Sequence, residues 1–220
     1  MKPVVTADEA IGFVSDGSRL MVGGFGLVGC PLTLVESLVK NKVKDLEIIS
    51  NNLGEPGRGL GVLVNHQRVR KGIGSYFTSN PDVVTAYLNG DIEIELIPQG
   101  SLAEAIRAGG AGIPAFYTPV GVGTKIAEGK EIRTIENRPY LLQHSLSADF
   151  ALIKAYKADR LGNLIYTKSA RNFNPIMATA ATTVIAEVDE IVEIGELRPE
   201  EITTPHLFVD YLVRKEVSLG

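Results

Sequence analysis

The sequence predicts one α/β domain over residues 1–220, built on a mostly parallel sheet flanked by helices. Three observations favour this fold class. Short apolar runs of strand length alternate along the chain with segments of helical periodicity, as in βαβ units. A length of 220 residues with 45% hydrophobic content is enough to bury a substantial core. No repeat, low-complexity tract or clear linker divides the sequence.

The first unit combines a turn, a buried strand and a glycine-rich loop. Asp16-Gly17 predicts the turn, and Leu20–Val22 predicts the strand. The four glycines of segment 23–29 permit positive φ angles and leave backbone N–H groups unshielded. Pro31 suits the first turn of a helix, which we expect to run from about Pro31 to Asn41. A strand, a glycine loop and a helix N-terminus together are typical of a site for an anion or oxyanion.

The next segments continue the alternation of strand and helix. Apolar runs predict the strands, and helical spacing or a proline start predicts the helices. In chain order we expect a strand at Leu46–Ser50, a helix at Gly59–Asn65, a strand at Val69–Phe77 and a helix at Pro81–Asn89 ended by Gly90. This order indicates parallel strands joined by helices.

A strictly alternating segment at Asp91–Pro98 predicts a strand with one exposed face, near the edge of the sheet. Ser101 then suits the N-cap of a helix, and Glu104 three residues later completes a capping box. We therefore expect the helix itself at Leu102–Ala108.

The segment 109–124 holds five glycines and two prolines in sixteen positions, which predicts an ordered loop without a regular element. Further strands and one helix are expected downstream. The predicted features are a hairpin at Lys130–Leu142 turning at Glu136-Asn137, strands at Phe150–Tyr156 and Thr182–Val188, a turn back into an extended segment within Ala158–Tyr166, and a helix beginning within Asn172–Ala181 near Pro175.

The charge and the cysteine content narrow the class of protein. A formal net charge of −4, with a single basic cluster at 68–71, argues against nucleic acid as a partner. Cys30 is the single cysteine, which excludes an intrachain disulfide and fits a reducing compartment. We interpret it as a small buried residue rather than a nucleophile. The sequence has no apolar run of signal-peptide or membrane-spanning length, so we expect a cytoplasmic protein that binds no membrane.

Gly24, Gly26 and Gly29 match the dinucleotide fingerprint G-x-G-x-x-G. That fingerprint also needs an acidic residue for the ribose, roughly 20 residues later at the end of the next strand. Here the next strand ends in Asn51-Asn52, and Glu47 lies at its beginning. The sequence therefore favours another ligand, and a glycine turn that only packs a helix on a strand stays an alternative.

Polar residues follow two further strands of the predicted sheet. Ligands of open parallel sheets bind at the carboxyl ends of the strands, where the sequence places Gly23–Gly29, Asn51-Asn52 and Gln99-Gly100. Amide side chains both donate and accept hydrogen bonds, which suits a carboxylate, an amide or a thioester carbonyl. The alternative for Asn51-Asn52 is a turn that bonds its own backbone.

Other kinds of chemistry have little support in the sequence. The three histidines are isolated, and no acidic pair has the spacing of metal ligands. Glu55 lies beside glycines, but Arg58 three residues later favours a turn with a salt bridge over an activated carboxylate.

The sequence contains four motif blocks, in order over about 160 residues. The first block has Asp16-Gly17, three apolar residues, Gly23-Gly24-Phe25, Gly29 and Pro31. The other blocks are residues 110–124, Gly162-Asn163-Leu164 and Ala170–Pro175. Together these blocks resemble the small (α) subunit of class I CoA-transferases, which act on 3-oxoacids and short-chain fatty acids. The resemblance spans nearly the whole chain.

This resemblance implies a three-layer α/β fold, shared by CoA-transferases and some sugar-phosphate isomerases. It implies transfer of CoA between an acyl-CoA, such as succinyl-CoA or acetyl-CoA, and a carboxylate such as acetoacetate, through a glutamyl-CoA thioester. The glutamate belongs to the β subunit, so the resemblance assigns no catalytic residue to this chain and predicts that it is inactive alone. The implied assembly is an α2β2 heterotetramer, with CoA as a substrate and no tightly bound cofactor or metal.

The resemblance also implies two sets of binding residues. The CoA-binding and oxyanion loop comprises Gly23, Gly24, Phe25, Gly26, Leu27, Val28 and Gly29. The residues that line the acyl pocket are Asn51, Asn52 and Gln99. Preorganised N–H donors of such a loop stabilise an oxyanion by about 3 kcal/mol each.

Two alternatives stay open. A sugar-phosphate- or nucleotide-binding protein of the same fold would use the glycine loop as a phosphate site. It would also need its own acid and base near that loop, and the sequence offers none. The other alternative is a non-catalytic assembly subunit.

Overall fold

The computed structural model describes residues 1–216 and contains a large sheet and a small sheet. Numbered along the chain, the strands are β1 (Val4–Val5), β2 (Arg19–Val22), β3 (Leu46–Ile49), β4 (Val69–Gly74), β5 (Glu93–Leu96), β6 (Ala115–Thr118), β7 (Ile132–Ile135), β8 (Arg138–His144), β9 (Ala148–Asp159), β10 (Leu164–Ile165), β11 (Ala181–Val192) and β12 (Tyr211–Arg214). The α-helices are α1 (Ala7–Ile11), α2 (Leu32–Lys40), α3 (Gly61–Asn65), α4 (Pro81–Asn89), α5 (Gln99–Gly110) and α6 (Asn174–Ala178). Within residues 1–216, none of these helices has the length and apolar character needed to cross a membrane.

The large sheet is mostly parallel, as the sequence predicts. Its strand order is β1-β12-β11-β9-β2-β3-β4-β5, and all neighbours along this path are parallel. The short strand β10 pairs antiparallel with β9, which confirms the predicted turn back into an extended segment. Strand β5 lies at one edge of the sheet, which confirms the interpretation of the alternating segment Asp91–Pro98.

Helices cover both faces of the large sheet, which confirms the three-layer fold. Successive side chains of a strand point to opposite faces, so each buried strand contributes to two cores. In β2, Leu20 and Val22 pack into the core that contains residues of α1 to α4. Met21 between them packs into the core that contains residues of α5 and α6. All three side chains are fully buried.

The small sheet has the order β6-β8-β7 and is antiparallel. Strands β7 and β8 confirm the predicted hairpin, and its turn residues Glu136 and Asn137 have φ angles of 50° and 61°. The expectation that segment 109–124 holds no regular element is wrong, because Ala115–Thr118 forms β6 and pairs with β8. Pro114 and Pro119 lie just outside this short strand, where neither interrupts its ladder.

Helix α5 begins three residues earlier than predicted, and the predicted capping box is wrong. Its N-cap is Pro98 and has no side-chain cap, while Ser101 is buried within the first turn. Glu104 instead forms an ion pair with Arg107 at 2.7 Å. The helix also extends to Gly110, and Gly109 packs against the Leu146 carbonyl, which a Cβ would approach to 1.9 Å. Tertiary packing thus overrides the low helix propensity of glycine here.

The remaining elements follow the prediction with changes at their ends. Helix α4 has the predicted bounds and ends at Gly90, whose φ is 80°. Helix α6 contains Pro175 in its first turn. Strands β9 and β11 are longer than predicted, because they pair with each other over most of their length.

Candidate functional site

Three polar or glycine-rich segments follow the carboxyl ends of strands in the same half of the large sheet. The loop Gly23–Gly29 follows β2, Asn51-Asn52 follows β3, and Gln99 follows β5. The Ser50 hydroxyl donates to the Val22 carbonyl at 2.8 Å and so joins the end of β3 to the start of the loop. The structure therefore brings these predicted residues to one end of the sheet.

Asn51 and Gln99 are in contact, although 48 residues separate them along the chain. The Asn51 side-chain amide donates to Gln99 Oε1 at 3.4 Å and to Ser75 Oγ at 2.8 Å. Asn51 is buried, whereas Gln99 is exposed. The buried asparagine thus orients an exposed amide at the end of β5.

Asn52 has a different environment. Its Oδ1 accepts a hydrogen bond from the Gly54 N–H at 3.0 Å, which is a turn that bonds its own backbone. The turn proposed as the alternative for this pair is thus present at Asn52, whereas the Asn51 side chain bonds other elements.

The glycine loop folds into a tight turn whose tip is exposed. Phe25 and Val28 exchange backbone hydrogen bonds of 2.9 and 3.3 Å across the turn. Gly24, Gly26 and Gly29 have φ angles of 129°, 60° and 72°, a region that L side chains rarely adopt. The side chains of Phe25 and Val28 are each half exposed.

Within the described part of the chain, four N–H groups of this loop have protein acceptors and three have none. The N–H groups of Gly23, Gly24, Phe25 and Val28 donate to protein acceptors. Those of Gly26, Leu27 and Gly29 donate to no acceptor within residues 1–216. Free N–H donors in a loop of this kind suit an anionic oxygen.

Two asparagines that the sequence reasoning missed hold this loop in place. Asn172 Oδ1 accepts from the Gly24 N–H at 3.2 Å, and its amide donates to the Val28 carbonyl at 2.9 Å. Asn174 donates to the Gly29 carbonyl at 3.0 Å and accepts from the Lys154 N–H at 2.9 Å. The signal available in the sequence was the block Ala170–Pro175, which the resemblance used without assigning roles to its side chains.

A cavity of about 180 Å³ lies beside the loop. Its lining includes Leu27, Gly29, Cys30, Lys154, Tyr166 and Glu187. Cys30 is buried, and burial together with the nearby carboxylate of Glu187 raises the pKa of its thiol to about 12. The interpretation of Cys30 as a buried residue is confirmed, and a thiol with this pKa is protonated and a poor nucleophile at neutral pH.

Glu187 is a further residue of the site that the sequence reasoning missed, in addition to the two asparagines. It is fully buried on β11, and its Oε2 accepts from the N–H groups of Thr33 and Leu34 at 2.9 and 3.3 Å. Burial raises its pKa from 4.5 to about 7, although Lys154 and the two N–H donors oppose that rise. A charged residue inside the apolar run of β11 was the available signal.

The other candidates have structural roles. Glu55 and Arg58 form an ion pair at 3.5 Å across a turn, as the sequence favoured. Within the described residues, no group of three or more His, Cys, Asp or Glu side chains is arranged to hold a metal ion.

Comparisons with known proteins agree with this geometry. A family model described as "Coenzyme A transferase" matches residues 4–215. The chain is 48% identical to the A subunit of the succinyl-CoA:3-ketoacid coenzyme A transferase of Helicobacter pylori strain J99, over 98% of this chain and 93% of that protein. It is 50% identical to the A subunit of the probable succinyl-CoA:3-ketoacid coenzyme A transferase of Bacillus subtilis strain 168, over 96% of this chain and 89% of that protein.

One solved structure extends the comparison to the fold. The acyl-CoA transferase of Escherichia coli O157:H7, in a thioester complex with CoA, superposes with a TM-score of 0.87. The alignment covers 97% of this chain and 50% of that chain, at 22% sequence identity.

Proposed function

This chain belongs to the coenzyme A transferase family, and we propose that it is the α subunit of an enzyme that transfers CoA between succinyl-CoA and a 3-oxoacid such as acetoacetate. The observation that carries this proposal is sequence identity: over nearly its full length, the chain is about 50% identical to the A subunits of the two succinyl-CoA:3-ketoacid CoA transferases described above. A glycine loop with free N–H donors, at the carboxyl ends of the strands, supports it. The comparisons give no support to a sugar-phosphate or nucleotide site at this loop.

The proposed reaction uses a glutamate of the β subunit. Its carboxylate attacks the thioester carbonyl and releases CoA as a thiolate, leaving an acyl anhydride. The thiolate then attacks the glutamyl carbonyl, which releases the first acid and forms the glutamyl-CoA thioester. The acceptor acid repeats these two steps in reverse order. Each attack places negative charge on a carbonyl oxygen.

The glycine loop is suited to stabilise that charge. We propose that the N–H groups of Gly26, Leu27 and Gly29 are the donors, because those of Gly23, Gly24, Phe25 and Val28 already have protein acceptors. Loss of one well-placed donor in an oxyanion site costs about 3 kcal/mol of transition-state stabilisation. The bonds from Asn172 and Asn174 fix the loop before substrate binds, so little reorganisation is needed during the reaction.

We propose that Gln99, Asn51 and Asn52 contribute to the acyl pocket. Gln99 is exposed, and its Oε1 accepts from Asn51, which leaves its Nε2 free to face a substrate carboxylate or carbonyl. Asn52 contributes mainly by its turn, which shapes the backbone after β3.

The proposal includes a partner and a substrate. The partner is a β subunit, in an α2β2 heterotetramer, and CoA acts as a substrate rather than as a resident cofactor. A cytoplasmic location stays a prediction from the sequence.

The test is reconstitution with a β subunit. The chain is mixed with a candidate β subunit, and formation of acetoacetyl-CoA from succinyl-CoA and acetoacetate is followed by its ultraviolet absorbance. We expect transfer in the mixture and none with either protein by itself. Acetyl-CoA as donor and butyrate as acceptor test the choice of substrates. A β subunit whose nucleophilic glutamate is changed to glutamine is the control and is expected to be inactive. Absence of transfer in the mixture, together with tight NAD(H) binding by this chain, would overturn the proposal.

A further inference from the structure

A buried carboxylate lies next to the glycine loop, and the proposed reaction does not use it. Glu187 is fully buried on β11, level with Lys154 of the neighbouring strand β9. Its Oε1 has no hydrogen-bond partner within residues 1–216. Burial of a carboxylate oxygen without a hydrogen-bond partner costs folding free energy, so we expect Glu187 to have a role that offsets this cost.

The contacts of Glu187 connect β11 to the glycine loop. Its Oε2 accepts from the N–H groups of Thr33 and Leu34, in the first turn of α2. Helix α2 begins at Leu32, three residues after the last glycine of the loop, and its N-cap Pro31 has no side-chain cap bond. Glu187 therefore takes the place of a local cap, from a strand more than 150 residues away.

The loop is thus held at three points along its length. Its start is tied to the sheet through the Gly23 N–H, which donates to the Leu152 carbonyl at 3.0 Å. Asn172 holds Gly24 and Val28 within the loop, and Asn174 holds its last residue, Gly29. Its end is held by Glu187, through the first turn of α2.

We infer that Glu187 is a positioning residue for the proposed transferase reaction: its ionised carboxylate anchors the first turn of α2 and thereby keeps the glycine loop in the conformation that presents its free N–H groups. A carboxylate anion accepts a hydrogen bond about twice as strongly as a neutral acceptor. It also interacts favourably with the positive end of the dipole of α2, a helix of nine residues. Protonation of Glu187 would weaken both interactions.

The charged and titratable groups around Glu187 come from several elements. Lys154 on β9 and Lys215 after β12 favour its ionised form. Both lysines also pair with Asp189 of β11, at 2.6 and 3.7 Å. Cys30, Tyr156 and Tyr166 complete the titratable lining of the cavity. Burial outweighs the lysines, and the resulting pKa of about 7 places the change of ionisation near neutral pH.

The test rests on the proposed function and uses the reconstituted α–β complex. Glu187→Gln keeps the shape of the side chain and one acceptor oxygen but removes the charge. Glu47→Gln is the matched control, because Glu47 is likewise a largely buried glutamate, but it pairs with Arg19 and Arg70 near the amino end of β3. We expect kcat of the wild-type complex to rise as the pH increases through about 7, because Glu187 becomes ionised. The Glu187→Gln complex should lack this rise. Its kcat should be about tenfold below that of the wild type at alkaline pH, and its KM for acetoacetate should change far less. Glu47→Gln is expected to keep the wild-type pH profile.

A second measurement does not depend on activity. Hydrogen–deuterium exchange, followed by mass spectrometry on peptides that cover residues 23–34, reports the order of the loop and the first turn of α2. We expect faster exchange there in Glu187→Gln than in the wild type or in Glu47→Gln.

The outcomes separate the two proposals. A wild-type pH profile and wild-type exchange in Glu187→Gln would overturn the role of Glu187 and leave the transferase function intact. No transfer by the wild-type complex would overturn the proposed function, and the exchange measurement would still decide whether Glu187 orders the loop.

Discussion

Gly23 has no room for a side chain, because the loop passes directly against Asn174. A Cβ on Gly23 would lie 1.8 Å from Asn174 Oδ1. Asn174 is fully buried, and its bonds to the Gly29 carbonyl and the Lys154 N–H restrict its movement. The two residues therefore set how closely the glycine loop approaches α6.

Gly23→Ala is expected to lower the free energy of unfolding by about 1–3 kcal/mol, the usual cost of overpacking. It should also reduce CoA transfer by the α–β complex, because the loop must shift. Urea unfolding of the chain followed by circular dichroism measures the first effect. Gly100→Ala is the control, because a Cβ there meets nothing within 4 Å, and alanine stabilises the helix by roughly 1 kcal/mol relative to glycine. Equal unfolding midpoints for wild type and Gly23→Ala would contradict the contact.

The sequence predicts the glycine loop but not the side chains that hold it. A positive φ angle and close approach of backbone are properties of glycine itself, so Gly24, Gly26 and Gly29 could be interpreted locally. The roles of Asn174 and Glu187 depend on partners 145 and 154 residues away. Neither the amino-acid composition nor the local spacing of residues predicts such a long-range contact, so it becomes visible only in the folded chain.

Among the elements, the β7–β8 hairpin depends on two turn residues with positive φ. Glu136 and Asn137 connect Ile135 to the paired residue Arg138, with φ angles of 50° and 61°. A two-residue turn with positive φ at both positions is the type I′ turn, which favours Asn-Gly. Asn137 suits its position, because asparagine tolerates the left-handed region better than other L residues.

Asn137→Val is expected to lower the free energy of unfolding by about 1–2 kcal/mol, because a β-branched residue is strained at this φ. Asn137→Gly should preserve or slightly raise it. The control is Thr134→Val, which introduces the same side chain at an exposed strand position of the same hairpin. We expect that change to stay within about 0.5 kcal/mol of wild type. Urea titrations of the three variants measure these differences. If Asn137→Val unfolded at the same urea concentration as Thr134→Val, the strain at the turn would be refuted.

The prediction of elements succeeded where local chemistry decides and failed where packing decides. Asn80 caps α4 through its side chain and Gly90 ends it, so both ends of this helix follow from adjacent residues. The capping box at Ser101 had the same kind of local support. The box does not form, because the helix begins directly after its N-cap Pro98 and Ser101 is buried in the first turn.

At the scale of the molecule, the sequence predicts parallel strands but not their order. An alternating hydrophobic pattern indicates which residues of a strand face a core, but it does not identify the strand that pairs with it. Strand β9 lies between β2 and β11, so residues near position 150 complete the sheet beside residues near position 20. That long-range pairing is what places Lys154, Asn174 and Glu187 around the glycine loop.

The tip of the glycine loop carries apolar side chains that face solvent in the isolated chain. Phe25 and Val28 are each 50% exposed. The proposed function places this loop against the β subunit, where these side chains would be buried. Burial of such a side chain contributes about 1.5–3 kcal/mol to a folded or assembled state.

Phe25→Ser is therefore expected to weaken the association of the α and β subunits by about tenfold or more. Tyr87→Ser is the matched control, because Tyr87 is 54% exposed and belongs to a different element, α4. Light scattering after size-exclusion chromatography, over a dilution series, gives the dissociation constant for each variant. Wild-type association by Phe25→Ser would mean that the β subunit does not cover the loop tip. The catalytic glutamate of the β subunit would then have to reach the N–H donors of Gly26, Leu27 and Gly29 from another direction.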